Sequence, residues 1–168
     1  MDTETSKTIA CAIVGSRLDY SNCIFSGIPS KNLSRLQRVQ NTLARVVLSD
    51  STARSTTALR SLHWLPIQQR VSFKIGCFVY RSLHGTTPTY LSSLLTPYSP
   101  ARSLRSSDLE LLTIPRTKTT FGSRGFRCAG PRLWNTLPHN IRSLDTFSNF
   151  KSHLKTHLFC AAFNSPGH

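Results

Sequence analysis

Acidic residues are scarce in this chain. Seven Asp and Glu stand against 21 Lys and Arg in 168 residues, a formal charge of +14. None falls between Asp50 and Asp108, nor between Glu110 and Asp145. This excludes most carboxylate chemistry, because a two-metal polymerase or nuclease needs clustered acids to hold its cations. The closest central pair, Asp108 and Glu110, alternates on an expected strand, so both could face one way; surface residues of an edge strand are the plainer reading. CxxC pairs are absent too. The five cysteines, Cys11, Cys23, Cys77, Cys128 and Cys160, are far apart, which argues against a zinc finger or knuckle. Their odd number and the lack of a signal-peptide pattern point to reduced, intracellular thiols, in nucleus or cytoplasm. Long apolar runs are missing as well: TIACAIVG, residues 8–15, is too short to span a bilayer, so no membrane partner is expected. No phosphate loop and no GxSxG elbow occurs.

Two weaker signals carry little. HLKTHL places His153 and His157 one turn apart, a zinc-compatible spacing, but the intervening glutamate of a metalloprotease helix and a third ligand are lacking. No metal and no cofactor is therefore expected. GSRG, residues 122–125, has the form of a GxxG nucleic-acid clamp, and a flexible turn is the better reading of four residues.

The abundant feature is positive charge, mostly arginine. Arginine makes bidentate phosphate contacts and stacks on bases, so the surplus points to a polyanionic partner, most simply RNA or DNA. Apolar residues recur through both basic tracts, as in a folded basic protein rather than a disordered arm.

Helical periodicity organises the first half. Residues 8–28 read as a helix that weakens near Gly15, resumes through RLDYSNCIF and ends at Gly27 and Pro29. Ser30 is the expected N-cap of the next helix. There Leu33, Leu36, Val39, Leu43, Val46 and Val47 fall within a stripe of roughly 140°. Lys31, Arg35, Arg38 and Arg45 share another face of roughly 80°. Pro66 suits the first turn of a further helix, which runs to a C-cap at Gly85. That helix is apolar on most sides, and Arg70, Lys74 and Arg81 fall within roughly 40° of one another. If the two helices pack through their apolar stripes, both ridges line one groove. A short helix is expected in PTYLSSLLTPY.

After residue 97 the composition turns to Ser, Thr, Gly, Pro and Arg. LELLTIP reads as a strand, with GFRCAG as its hairpin partner, on an extended basic arm holding Arg102, Arg105, Arg116, Lys118, Arg124 and Arg127. A final helix covers about residues 146–163, with Phe147, Phe150, Leu154 and Leu158 on one face. The fold class expected is thus mainly α: helices over 1–97, then over 98–168 a basic extended arm, a small β-hairpin and a C-terminal helix.

One element recurs loosely: LHWLPIQQR, residues 62–70, and RLWNTLP, residues 132–138, both set a tryptophan shortly before Leu-Pro. Trp64 could stack on a base. A Trp just ahead of a helix-starting Pro is more often a packing staple, and His63 has no nearby acid to orient it for catalysis.

SRLDYSNCIFSGIP, LSRLQRVQNTLARVV, ALRSLHWLPIQQRVSFKI, LTPYSPARSLRSSD and GPRLWNTLPHNIRSLDTFSNFKSHLKTHLF, in this order, resemble the C-terminal end of reverse transcriptases from jockey-like LINE (non-LTR) retrotransposons. The resemblance runs from about residue 9 to residue 160. It implies a thumb-like helical region and a post-thumb extension that hold template and primer, beside an upstream polymerase palm. The parent activity is RNA-directed DNA synthesis, whose catalytic aspartates lie in the palm. This chain has no aromatic-x-Asp-Asp element and no endonuclease motif, so no catalytic residue carries over and no enzyme activity is expected. Met1 directly before DTETSKT is consistent with a truncated or mispredicted gene. The expectation is a non-catalytic nucleic-acid-binding fragment, with Arg35, Arg38, Arg45, Arg70, Lys74 and Arg81 as first contacts and the arm residues next. The alternatives are a non-functional translated relic, which should expose apolar surface where the palm packed, and a host-adopted module that binds an acidic protein.

Overall fold

The structure, a computed structural model, describes residues 2–99 and 110–164. It is mainly helical, as the periodicity predicts: α1 Thr3–Ala10, α2 Ser16–Asp19, α3 Ser30–Leu48, α4 Ser55–Ser61, α5 Ile67–Leu83, α6 Thr89–Ser92, α7 Phe126–Thr136, α8 His139–Arg142 and α9 Phe147–Phe163. The chain divides into two compact units, Met1–Val71 with His157–His168, and Ser72–Thr156. The change of composition near residue 97 does not coincide with this division.

In the first unit the expected weak point near Gly15 is a π-helical turn, Cys11–Gly15, between α1 and α2. Its core joins Ala10, Ala44, Val47, Ala58, Leu59, Leu62 and Trp64, with Phe163 packed against them. Helix α3 does not present the expected stripe. Gln40, Ala44 and Val47 are its buried residues, while Val39 and Val46 stand exposed. The inward face is therefore rotated by roughly 50° and centres on a polar side chain. Gln40, 1 % exposed, donates from Nε2 to the Leu65 carbonyl at 2.8 Å. Gln37 donates to Gln40, and its Oε1 accepts from the Ile67 amide at 2.9 Å. Two glutamines thus satisfy the backbone on either side of Pro66, including a first-turn N–H of α5 that has no partner within its own helix. The N-cap position of α3 is Pro29, not Ser30, and it makes no side-chain cap; proline's preset φ starts the helix instead.

LHWLP is a helix stop and a helix start fused. His63 has φ 54°, its amide donates to the Arg60 carbonyl, and the Trp64 amide donates to that of Leu59 at 2.9 Å. This is the double bond pattern of a Schellman C-cap, and Trp64 and Leu59 both belong to the buried cluster of this unit. Only glycine holds that left-handed position without a Cβ penalty. His63→Gly should therefore raise stability by up to about 1 kcal/mol, read as a higher urea midpoint. A lower midpoint would mean that the His63 ring, 5.7 Å from that of Phe159, contributes more than the backbone strain removes.

The second unit is built on aromatic packing. Tyr80 stacks on Phe150 at 4.4 Å between centroids and Trp134 lies 5.8 Å from the same ring. The Tyr80 hydroxyl donates to the Leu144 carbonyl at 2.7 Å. Helix α5 ends at Gly85, φ 66°, with the Thr86 amide on the Arg81 carbonyl, as the sequence predicts. The β-hairpin does not form among the described residues. GFRCAG lies in α7 and its N-cap, Gly125. The segment around Leu112 makes a single antiparallel bridge to Pro97 instead. The glycines of the expected strand and the proline after it have other roles. Gly125 starts the helix, and Gly130 lets α7 approach Val79, whose Cγ2 would lie 3.0 Å from an added Cβ. Pro131 sits inside α7 and removes one of its backbone bonds. Leu112 is held by a side chain rather than a strand: Asn135 accepts from its amide at 2.9 Å and donates to its carbonyl at 2.8 Å, copying the two bonds of a strand neighbour.

Candidate nucleic-acid interface

The cations named from the sequence separate into committed and uncommitted groups. Arg35 and Arg38 are exposed on α3. Arg45 is half-buried and fastens the α3–α4 turn, with Nε donating to the Ala53 carbonyl at 3.1 Å and Nη2 to Ser55 Oγ at 3.0 Å. In that turn Asp50 Oδ1 accepts from the Thr52 hydroxyl and from the Thr52 and Ala53 amides, and these bonds hold its carboxyl below the usual range. Arg70 is neutralised: it grips Asp19 with two bonds, Nε to Oδ1 at 2.8 Å and Nη2 to Oδ2 at 2.5 Å, and Asn22 supports the same carboxylate. Arg45 and Arg70 are thus structural ties, which periodicity cannot reveal because their partners come from other elements.

In the second unit, cations gather on phenyl rings. Lys74 Nζ lies 5.5 Å from the Phe78 centroid, and the Arg81 guanidinium lies 5.5 Å from that of Phe147. Lys151 Nζ is 5.8 Å from Phe147 as well. Such contacts are attractive through the ring quadrupole, and they hold the charged groups at a half-buried aromatic surface. Lys151, Lys74 and Arg81 all act on Cys77, whose thiol burial nevertheless pushes up to about 11. Cys77 therefore stays protonated at neutral pH and is no nucleophile. Lys151 was not among the cations singled out from the sequence. Its signal was present: it follows Phe147 by four residues on α9, one helical turn.

In the arm, Arg116 and Lys118 are exposed in a stretch without helix, Arg124 is half-buried in a 3-10 turn, Gly122–Arg124, and Arg127 is exposed in the first turn of α7. GSRG is therefore this turn and the N-cap of α7 rather than an open loop. Arg102, Arg105 and Asp108 lie outside the described residues. Glu110 is exposed with φ 50°. Among the described residues no group of three His, Cys, Asp or Glu could hold a metal ion, His153 and His157 included. No helix among them is long and apolar enough to cross a membrane.

Two ion pairs are formed among the described residues, Lys7 with Glu4 and Arg70 with Asp19. Most of the positive charge among the described residues is thus left without a paired carboxylate. No protein-family model, curated protein or solved structure matches the chain.

Proposed function

We propose that the chain binds single-stranded or hybrid nucleic acid without catalysing its chemistry, as a piece derived from the thumb and post-thumb region of a LINE-type RNA-directed DNA polymerase. The observation that carries this reading is the cluster of Lys74, Arg81 and Lys151 around Phe78 and Phe147, in a protein whose carboxylates neutralise few of its cations. Cations track a phosphate backbone and aromatic rings offer faces to bases. Arg35 and Arg38 supply further exposed cations in the first unit, and the arm supplies Arg116, Lys118 and Arg127. Template and primer in the parent polymerase would be the natural partner.

The test is the salt dependence of binding to a labelled RNA strand and an RNA–DNA hybrid. Each phosphate contact contributes about −0.7 to −0.9 to the slope of log K against log[salt]. The variant Lys74→Gln/Arg81→Gln/Lys151→Gln should flatten the slope by roughly 2–3 and weaken unrelated sequences alike, since phosphates position and do not specify. Its melting temperature should stay within a few degrees, because exposed charges contribute little to stability. An unchanged slope with an intact fold would remove this cluster from the interface.

A second reading is favoured by the exposed apolar side chains of the first unit, among them Ile13, Ile24, Val39 and Val46. These fit a fragment that once packed against an upstream palm. A chain that binds neither strand at low salt, yet binds an apolar dye strongly, would support the relic over the nucleic-acid module.

A further inference from the structure

The loop of residues 119–125 secures its own backbone. Every carbonyl from Thr119 to Ser123 accepts a hydrogen bond. The Ser123 amide donates to the Thr119 carbonyl at 3.1 Å and the Ser123 hydroxyl to that of Thr120 at 2.7 Å. The Arg124 and Gly125 amides donate to the Phe121 and Gly122 carbonyls at 3.0 and 3.2 Å. Arg132 Nη1 reaches the Ser123 carbonyl from α7 at 3.5 Å. Thr119 Oγ1 accepts in turn from the Gly122 amide at 3.0 Å. A Cβ on residue 122 would stand 3.0 Å from that same oxygen, so glycine is what lets the turn close this tightly.

This fixed loop displays a ring that it does not bury. Phe121 is 83 % exposed, and no large apolar side chain among the described residues is more so. A lone exposed apolar side chain is ordinary on a protein surface, but this one has three unusual features. Its backbone is already ordered, so little freedom remains to be lost when the ring is covered. Its neighbours in the turn, Thr119, Thr120, Gly122 and Ser123, are small or polar, so no apolar patch continues from it. Its segment is wholly basic: no acid stands between Glu110 and Asp145. Arg116, Lys118, Arg127 and Arg132 are exposed there and Arg124 is half-buried. Neither ion pair among the described residues involves any of these cations.

A single aromatic face set among cations is what a single-stranded nucleic acid uses: the ring takes a base and the cations take the backbone on either side. A bilayer is served differently, by an apolar face of several side chains, which the hydroxyls of this turn do not supply. We propose that Phe121 is a stacking platform for an unpaired base, with Arg124, Arg132 and the exposed cations of the same segment holding the flanking phosphates. The inference rests on the nucleic-acid reading and adds to it a second contact region and a preference. In a hybrid the bases already stack on one another and offer no free face, so Phe121 favours the unpaired strand.

The full chain is titrated over a salt series with a labelled RNA strand that cannot pair with itself, and with the same strand annealed to its DNA complement. Phe121→Ala should weaken the unpaired strand by about 5- to 150-fold, the usual effect of losing one stacked base. The slope of log K against log[salt] should not change, because no phosphate contact is removed. Hybrid binding and the melting temperature should match the parent. Phe121→Leu keeps an apolar side chain without a ring face and should behave as Phe121→Ala, whereas Phe121→Trp should bind at least as well as the parent.

Strand binding that persists unchanged in Phe121→Ala, or that Phe121→Leu restores, overturns the stacking platform and leaves the nucleic-acid reading intact. An equal loss on strand and hybrid overturns the preference for unpaired bases. A parent chain that binds neither probe at any salt overturns the reading and the platform together. Sedimentation with vesicles of phosphatidylcholine and phosphatidylserine tests the remaining class of partner: binding that Phe121→Ala abolishes there, with strand binding kept, would make the ring a membrane wedge and overturn the proposal.

Discussion

Replacing Trp134 by alanine is expected to destabilise the protein by about 3–5 kcal/mol, the range for a large aromatic lost from a packed interior. The side chain is among the largest that are fully buried. Its ring meets Phe150, and its indole N–H is the donor that holds the Glu110 carbonyl. Trp134→Phe separates the two contributions: it keeps most of the apolar contact and loses the hydrogen bond, so a smaller loss, about 1–3 kcal/mol, should follow. Trp64→Ala should fall in the same large range, since Trp64 is 8 % exposed and belongs to the core of the first unit. Urea unfolding of the three variants measures this, and nucleic-acid binding at low denaturant completes it. A Trp64→Ala protein that melts like the parent but no longer binds would make Trp64 a base-stacking residue, against its packing.

Gly76→Ala should destabilise, although the same exchange in an open helix gains about 1 kcal/mol. Gly76 lies in α5, where a Cβ would stand 2.8 Å from Leu154 Cδ2. Leu154 is itself fully buried, at 0 % exposure, so it has nowhere to retreat. Overpacking of this kind costs about 1–3 kcal/mol. The mechanism is checked by a double-mutant cycle. Leu154→Ala alone should cost about 2–5 kcal/mol, and the double variant should cost less than the sum of the two, because the new methyl enters the space vacated. Strict additivity would show that the close approach is not the cause.

Much of the helical layout was legible in the sequence. The 3.6-residue periodicity around α3, α5 and α9, Pro66 at a helix start and Gly85 at a C-cap are local signals, and they survive because tertiary packing reinforces them. The stripe on α3 failed in an instructive way. Val39 and Val46 extend an apolar pattern that the structure leaves exposed, while Gln40, polar and unremarked, is the residue that is buried. Hydrophobic spacing counts side chains; it does not count the backbone groups around Pro66 that need partners. GFRCAG failed for a related reason. Glycines at both ends read as the bounds of a strand when the chain is read alone, but here they mark the start of α7 and its close approach to Val79.

The candidate interface divides in the same manner. Sequence named Arg35, Arg38, Lys74 and Arg81, which have no carboxylate partner among the described residues, but also Arg45 and Arg70, which are bound to Ala53, Ser55 and Asp19. An arginine's type and face say where its charge can go, and only the fold says whether a carbonyl or carboxylate from another element has already taken it.

What the sequence determined by itself is the basic surplus, the lack of clustered acids, the predominance of helix and the positions of the main helix boundaries; each depends on residue type or on neighbours within a few residues. The tertiary structure alone decided which cations are tied to groups of other elements, which glycines are contact points, and that Asn135 stands in for a strand. These depend on pairs of groups far apart in the chain, such as Asn135 with Leu112 and Trp134 with Glu110, whose meeting is set by the packing of whole helices.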